Sequence, residues 1–96
     1  MPVKKNILII IADQLSQKAV GAYGNPHSQT PAIDSIAAEG VRFANAYTPC
    51  PLCQPARAAF WTGNLPHTTG ILSNGRKHPV PPLPDDIPTL GDIFQA

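Results

Sequence analysis

The sequence has few charged side chains, only two cysteines and no long apolar run. Asp, Glu, Lys and Arg make up 14% of its 96 residues, against about 25% in a typical soluble domain. The net charge of +1 excludes the strongly basic surface that nucleic-acid and acidic-membrane binding require. No segment approaches the roughly 18 apolar residues of a membrane-spanning helix. Neither a nucleic acid nor a membrane is therefore expected as a partner.

The apolar run at residues 7–12 is too short for the core of a signal peptide, and no cleavage site follows it. The sequence as written therefore predicts a cytoplasmic protein. If a signal peptide has been removed from the N-terminus, the same residues are equally compatible with a periplasmic or secreted protein.

The first half of the chain has the pattern of an α/β protein. Residues 6–12 are continuously apolar after Asn6 and mostly β-branched, which is typical of a central parallel strand buried on both faces. Thr30 and Pro31 then open a predicted helix that Gly40 ends. Residues 41–47 alternate as a second strand should. This order favours the first part of a doubly wound, mostly parallel sheet that is sandwiched by helices.

A second helix is predicted from about residue 54 to residue 62. Pro55 suits the first turn of a helix, because its missing N–H costs nothing there, and Gly63 is a typical stop. Cys53 then takes the N-cap position. The predicted buried stripe consists of Ala56, Ala59 and Phe60.

The remainder of the chain is a long connection followed by a short helix. Residues 64–88 are rich in Pro and Gly. Thr89 is the predicted N-cap of the last helix, with Asp92 in a capping-box position, and the chain ends at Ala96. Two strands and a truncated helix cannot complete a parallel sheet. We therefore interpret residues 1–96 as a single partial domain, the N-terminal portion of a larger catalytic domain.

The start of the second predicted helix suits a nucleophile. Free backbone N–H groups and the positive end of the helix dipole favour a thiolate, an oxyanion or a bound sulfate or phosphate at Cys53. Arg57 follows one turn later on the same face, with a planar fork suited to an anionic oxygen. The alternative for Arg57 is an ordinary solvated helix residue.

The run Cys53-Gln54-Pro55-Ala56-Arg57 resembles the sulfatase signature Cys-x-Pro-Ser/Ala-Arg. In that family the cysteine is oxidised after synthesis to formylglycine, whose hydrated aldehyde attacks the sulfur of a sulfate ester. The resemblance implies an alkaline-phosphatase-like fold and catalytic roles for Cys53 and Arg57. It also implies a small-molecule or saccharide sulfate ester as substrate. The partners it implies are a formylglycine-generating maturation enzyme and the remainder of the sulfatase chain.

Asp13 and Gln14 follow the first predicted strand, at the edge where open α/β sheets place their sites. A carboxylate beside an amide oxygen suits a hard cation, although Asp13 could instead cap a turn. Sulfatases carry two adjacent acidic residues here as metal ligands. The resemblance therefore implies a divalent-metal site of Asp13, Gln14 and Cys53, with Ca²⁺ favoured and Mg²⁺ or Mn²⁺ as alternatives.

The Asp-Gln pair is also found in the choline-sulfatase and phosphonate-monoester-hydrolase branches of the superfamily. A phosphonate monoester or phosphodiester hydrolase is therefore an alternative to a sulfatase. In those branches an asparagine approaches the anionic head group of the substrate, which implies a substrate-binding role for Asn74. Asn74-Gly75 is also a turn pattern, since both residues tolerate left-handed backbone. The two interpretations of Asn74 are compatible.

A remote alternative comes from another class of protein. Cys50-Pro51-Leu52-Cys53 is a C-x-x-C motif at a predicted helix start, as in thioredoxin-like thiol-disulfide oxidoreductases. Those folds place the motif after their first strand, whereas here a strand, a helix and another strand are predicted before it. The redox hypothesis also leaves Arg57 and Asp13 unexplained.

Overall fold

A computed structural model describes residues 5–75 and 79–95 of the chain. The chain divides into two compact units, Met1–Asn45 and Ala46–Ala96. Two short 3₁₀ turns in the first unit, Gln17–Ala19 and Gly21–Tyr23, precede the α-helices. The α-helices of the described ranges are α1 at Pro31–Glu39, α2 at Cys53–Thr62, α3 at Pro66–Thr69 and α4 at Leu90–Gln95. None of these helices is long and apolar enough to cross a membrane.

Neither predicted strand forms in the described part of the chain, where no β-strand occurs. Residues 6–12 and 41–47 have neither helix nor strand, and their large side chains are exposed: Leu8 is 84% exposed and Phe43 69%. A strand exists through hydrogen bonds to a neighbouring strand, and the described residues give these two segments no such neighbour. The expectation of two formed strands is corrected accordingly, and the doubly wound sheet stays a prediction.

Helix α1 has the predicted boundaries, with Thr30 at the N-cap. The Thr30 hydroxyl donates to a carboxylate oxygen of Asp34 at 2.9 Å and accepts the N–H of Gly21 at 2.9 Å. The same Asp34 oxygen accepts the N–H of Ala22 at 2.6 Å. Through these bonds the first turn of α1 holds the 3₁₀ turn Gly21–Tyr23.

Side chains from the 3₁₀ turns hold residues 41–47, where the sequence pattern predicted a β-ladder. The Tyr23 hydroxyl donates to the Phe43 carbonyl at 2.9 Å, and the Gln17 side-chain amide donates to the Ala44 carbonyl at 3.1 Å. The Arg42 guanidinium lies 5.0 Å from the centroid of the Tyr23 ring, within the range of a cation–π contact. The carbonyls of Phe43 and Ala44 are thus bonded to side chains of their own unit.

In the second unit, helix α2 packs against α3 and α4. Thr69 is only 1% exposed, and a buried hydroxyl without a partner would be costly. Its hydroxyl donates to the Pro66 carbonyl at 3.1 Å and accepts the N–H of Ile71 at 3.3 Å. Pro55 and Ala59 of α2 are buried in this unit as well.

The predicted buried stripe of α2 is correct only in part. Ala59 is buried and Ala56 is half-buried, but Phe60 is 42% exposed. Phe60 contacts Trp61 edge to face, with ring centroids 5.4 Å apart and planes at 85°. The two alanines of the predicted stripe therefore pack inward, while the last turn of α2 presents the Phe60–Trp61 pair at the surface.

The predicted capping box of the last helix is confirmed. The Asp92 carboxylate accepts the backbone N–H of Thr89 at 2.8 Å and the Thr89 hydroxyl at 2.7 Å. The Thr89 hydroxyl oxygen in turn accepts the N–H of Asp92 at 3.3 Å. These hydrogen bonds lower the pKa of Asp92 below its ordinary value, with the larger effect from the backbone N–H of Thr89 and the smaller from its hydroxyl. Helix α4 is described as far as Gln95, and Ala96 lies outside the described residues.

Candidate active site

Helix α2 begins at Cys53, one residue earlier than predicted, so Cys53 is the first helical residue and not the N-cap. Leu52 takes the N-cap position with an extended backbone, and its carbonyl accepts the N–H of Ala56 at 2.9 Å. Pro55 is the third helical residue, where its missing N–H leaves one fewer donor to satisfy. Because proline is tolerated throughout the first turn, its presence did not fix which residue begins the helix. The Cys53 side chain is exposed.

Arg57 lies one turn after Cys53 in the same helix, and it is exposed. Residues four apart on a helix are neighbours on one face, with Cβ atoms about 6 Å apart. The structure therefore brings the predicted nucleophile position and the predicted cation onto one face of α2.

Asn74 reaches the start of α2 from the long connection. Its Oδ1 atom accepts the backbone N–H of Gln54 at 2.9 Å. Gln54 directly follows Cys53, and its N–H is one of the first-turn donors that a helix cannot satisfy internally. The structure thus brings Asn74 to the helix turn that carries Cys53. The partner of Asn74 was missed from the sequence, because no local spacing connects residues 54 and 74.

The turn interpretation of Asn74-Gly75 holds in part. Gly75 has a φ of 74° and is left-handed. Asn74 is not left-handed, because Gln14 is the one non-glycine residue with positive φ in ranges 5–75 and 79–95. A two-residue type I′ hairpin turn needs positive φ at both residues, so the pair does not form that turn.

Asp13 and Gln14 lie in the first unit, and both are exposed. Gln14 has a φ of 54°. For a non-glycine residue this conformation costs on the order of 1–3 kcal/mol, and such residues concentrate at functional sites. The strained backbone therefore indicates Gln14 as a candidate site residue, independently of its side-chain chemistry. The residue type did not indicate this conformation, because glutamine has no special preference for left-handed backbone.

The donor set of this pair fits a hard divalent cation, since it combines a carboxylate with an amide oxygen. Among the residues that the structure describes, no three His, Cys, Asp or Glu side chains form a metal-ligand cluster. Ca²⁺ takes about 6–8 oxygen ligands, so Asp13 and Gln14 fit as part of a coordination sphere. Cys53 belongs to the second unit, and its share in the metal site stays a prediction.

Both cysteines are free thiols, with Cys50 half-buried and Cys53 exposed. The Thr48 hydroxyl donates to the Cys50 carbonyl at 2.9 Å and accepts the Cys50 N–H at 3.4 Å. These bonds fix the backbone at Cys50, before the helix begins.

Comparison with known proteins gives this site its context. The family model described as Sulfatase matches residues 5–96. The chain belongs to the sulfatase family. This sulfatase chain is 50% identical over 91 residues to a Delta 4,5-hexuronate-2-O-sulfatase of Bacteroides thetaiotaomicron, an alignment that covers 95% of the chain and 19% of that protein. It is 44% identical over 93 residues to arylsulfatase A of Bos taurus, covering 95% of the chain and 18% of that protein.

A solved structure of a 2-O GAG sulfatase is similar to the chain, with a TM-score of 0.78 and 48% identity over 86% of the chain and 18% of that protein. The sulfatase fold is α/β and alkaline-phosphatase-like, which confirms the predicted α/β class and leaves the arrangement of the sheet a prediction. The chain spans only 18–19% of the length of these relatives. The family match favours the sulfatase hypothesis over the thiol-disulfide alternative.

Proposed function

We propose that this chain is the nucleophile-bearing part of an enzyme that hydrolyses sulfate esters. The observation that carries the proposal is the position of Cys53, the exposed first residue of α2 with Arg57 one turn further on. The match to the Sulfatase model over residues 5–96 supports it.

The surroundings of residue 53 favour negative charge. It lies at the positive end of the α2 dipole, where an oxyanion is stabilised. When residue 53 is oxidised to formylglycine, its hydrated aldehyde supplies the nucleophile. The guanidinium of Arg57 would bind a sulfate oxygen and stabilise the charge that develops during cleavage, a role that is often the largest catalytic contribution.

Asp13 and Gln14 would hold part of the divalent metal that the family implies. The bound metal supplies positive charge that polarises the reacting oxygens. Because Gln14 is neutral, this pair brings one negative charge less than two acidic residues would. Ca²⁺ is the proposed ion, since it accepts neutral carbonyl oxygens beside carboxylates and tolerates irregular geometry.

The proposed substrate is a sulfated saccharide. The relative from Bacteroides thetaiotaomicron is named for 2-O-sulfated hexuronate, and the solved structure is that of a 2-O GAG sulfatase. These names belong to proteins that are 50% and 48% identical to this chain. A 2-O-sulfated hexuronate saccharide is therefore the first substrate to test.

The test is co-expression of the full-length protein with a formylglycine-generating enzyme. Mass spectrometry should find the aldehyde or its hydrate at Cys53 and an unmodified Cys50, because Pro55 and Arg57 have the required spacing only relative to Cys53. The matured protein should release sulfate from the saccharide and from an aryl sulfate. Cys53→Ala should abolish turnover, whereas the matched variant Cys50→Ala should retain it.

Two outcomes would contradict the proposal. Full activity of the Cys53→Ala variant would show that residue 53 is not the nucleophile. Faster cleavage of an aryl phosphonate than of any sulfate ester would instead favour the phosphonate-monoester-hydrolase alternative.

A further inference from the structure

We propose that Asn74 is a positioning residue for the nucleophile: its Oδ1 atom holds the first turn of α2 and thereby fixes residue 53. The Nδ2 group of the same side chain stays available for the substrate-binding role that the sequence resemblance already implies for Asn74. This inference rests on the proposed function of Cys53, and it concerns how that residue is held in place.

The need for such a cap follows from the sequence at the helix start. N-cap residues are usually Ser, Thr, Asp or Asn, whose oxygen accepts a first-turn N–H. The N-cap of α2 is Leu52, which has no side-chain oxygen and makes no capping bond. Asn74 supplies the missing acceptor, with Oδ1 at 2.9 Å from the Gln54 nitrogen.

The capped position is adjacent to the reacting residue. The regular helical hydrogen bonds of α2 begin at the N–H of Ala56, and Pro55 has no N–H. The N–H of Gln54 is therefore the first-turn donor between Cys53 and those bonds. Fraying of this turn would therefore displace residue 53 directly. A displacement of about 1 Å at a reacting group can lower the rate by about 100-fold.

The amide group also explains why asparagine suits this position better than aspartate. A backbone N–H can bond only to an acceptor, so the oxygen of the Asn74 amide faces Gln54 and the NH₂ group is the other half of the side chain. Aspartate would keep the acceptor but replace the donor with a second negatively charged oxygen. The two functions of Asn74 can therefore be separated by substitution.

The experiment measures amide hydrogen exchange at Gln54 together with steady-state kinetics of the matured full-length enzyme. In Asn74→Ala, exchange at Gln54 should become about fivefold faster, as expected for the loss of one cap, and kcat should fall by about 10–100-fold. In Asn74→Asp, exchange should stay slow because a carboxylate oxygen restores the cap. The Asp variant should instead raise KM for the anionic substrate.

Asn64→Ala is the matched control, because Asn64 bonds to the opposite end of the same helix. Its side-chain amide donates to the Thr62 carbonyl at 3.0 Å. This variant should leave both the exchange at Gln54 and kcat within about twofold of the wild type.

Unchanged exchange at Gln54 in Asn74→Ala would overturn the inference, and so would faster exchange with an unchanged kcat. Slow exchange in Asn74→Asp supports it even if the alanine variant fails to fold, and fast exchange in the Asp variant counts against it. A wild-type enzyme that matures at Cys53 but cleaves no sulfate ester would refute only the proposed function, because exchange at Gln54 is measured without turnover.

Discussion

The carboxylate of Asp34 occupies the space in which any side chain at position 21 would lie. A Cβ atom on Gly21 would come within 2.6 Å of the Oδ2 atom of Asp34. The other carboxylate oxygen is held by the N–H of Ala22 at 2.6 Å and by the Thr30 hydroxyl at 2.9 Å. The carboxylate therefore cannot move away without losing hydrogen bonds that hold the 3₁₀ turn to α1.

Gly21→Ala should lower the free energy of unfolding by about 1–3 kcal/mol, because overpacking and lost hydrogen bonds both contribute. The measurement is urea unfolding of the wild type, both single variants and the pair Gly21→Ala with Asp34→Ala. In the Asp34→Ala background the change at Gly21 should cost less, since the clash is absent. An equal cost in both backgrounds would show that Asp34 is not the group that excludes a side chain.

Arg57→Ala should reduce kcat/KM by a factor on the order of 10²–10³, the usual loss when a preorganised group near developing charge is removed. Arg57→Lys should recover only part of it, because a point charge cannot reproduce the bidentate fork. Steady-state hydrolysis of an aryl sulfate measures both effects, with equal formylglycine content confirmed in each variant. If either variant retains near-normal kcat/KM, Arg57 is a surface residue.

Asp13→Asn should weaken divalent-metal binding and lower activity together, because it removes a full negative charge beside a dication. Excess Ca²⁺ should restore part of the activity. Gln14→Asp should have the opposite effect on metal affinity, which calorimetric titration of both variants would measure. Wild-type metal affinity in Asp13→Asn would make Asp13 a turn cap.

The capping box of α4 should weaken only at acid pH. The Thr89 N–H, and to a lesser extent the Thr89 hydroxyl, lower the pKa of Asp92 below its ordinary 3.8. Because the pKa is lower in the folded state, the stabilisation is complete above about pH 3.8 and is lost as pH falls through the folded pKa.

An NMR titration of the Asp92 carboxyl group would measure this pKa directly. In Thr89→Ala the titration midpoint should rise part of the way toward 3.8, because only the hydroxyl bond, the second of the two causes, is removed. A midpoint at or above 3.8 in the wild type would contradict the capping geometry.

The features that the sequence predicted well depend on residues within one turn of each other. Thr30 marks the start of α1, Gly63 the end of α2, and Thr89 with Asp92 the start of α4. Each of these signals lies within one turn of the helix end that it marks. The motif from Cys53 to Arg57 is of the same local kind, which is why the family could be predicted from it.

The features that the sequence did not predict depend on distant partners or on a single backbone angle. The strands predicted at residues 6–12 and 41–47 require a neighbouring strand, which the local pattern cannot supply. The bond between Asn74 and Gln54 joins residues 20 positions apart, and no periodicity connects them. The left-handed backbone of Gln14 is a conformation that its residue type does not favour.

The aromatic pair at the end of α2 gives this helix an optical probe of its own. Trp61 is the only tryptophan among the 96 residues. It is 44% exposed and contacts Phe60 edge to face. Because indole emission depends on solvent access and on neighbouring groups, the signal of this chain reports on α2 and not on an average over many sites. A shift in the emission of Trp61 therefore reports a change in the surroundings of α2, eight residues after Cys53.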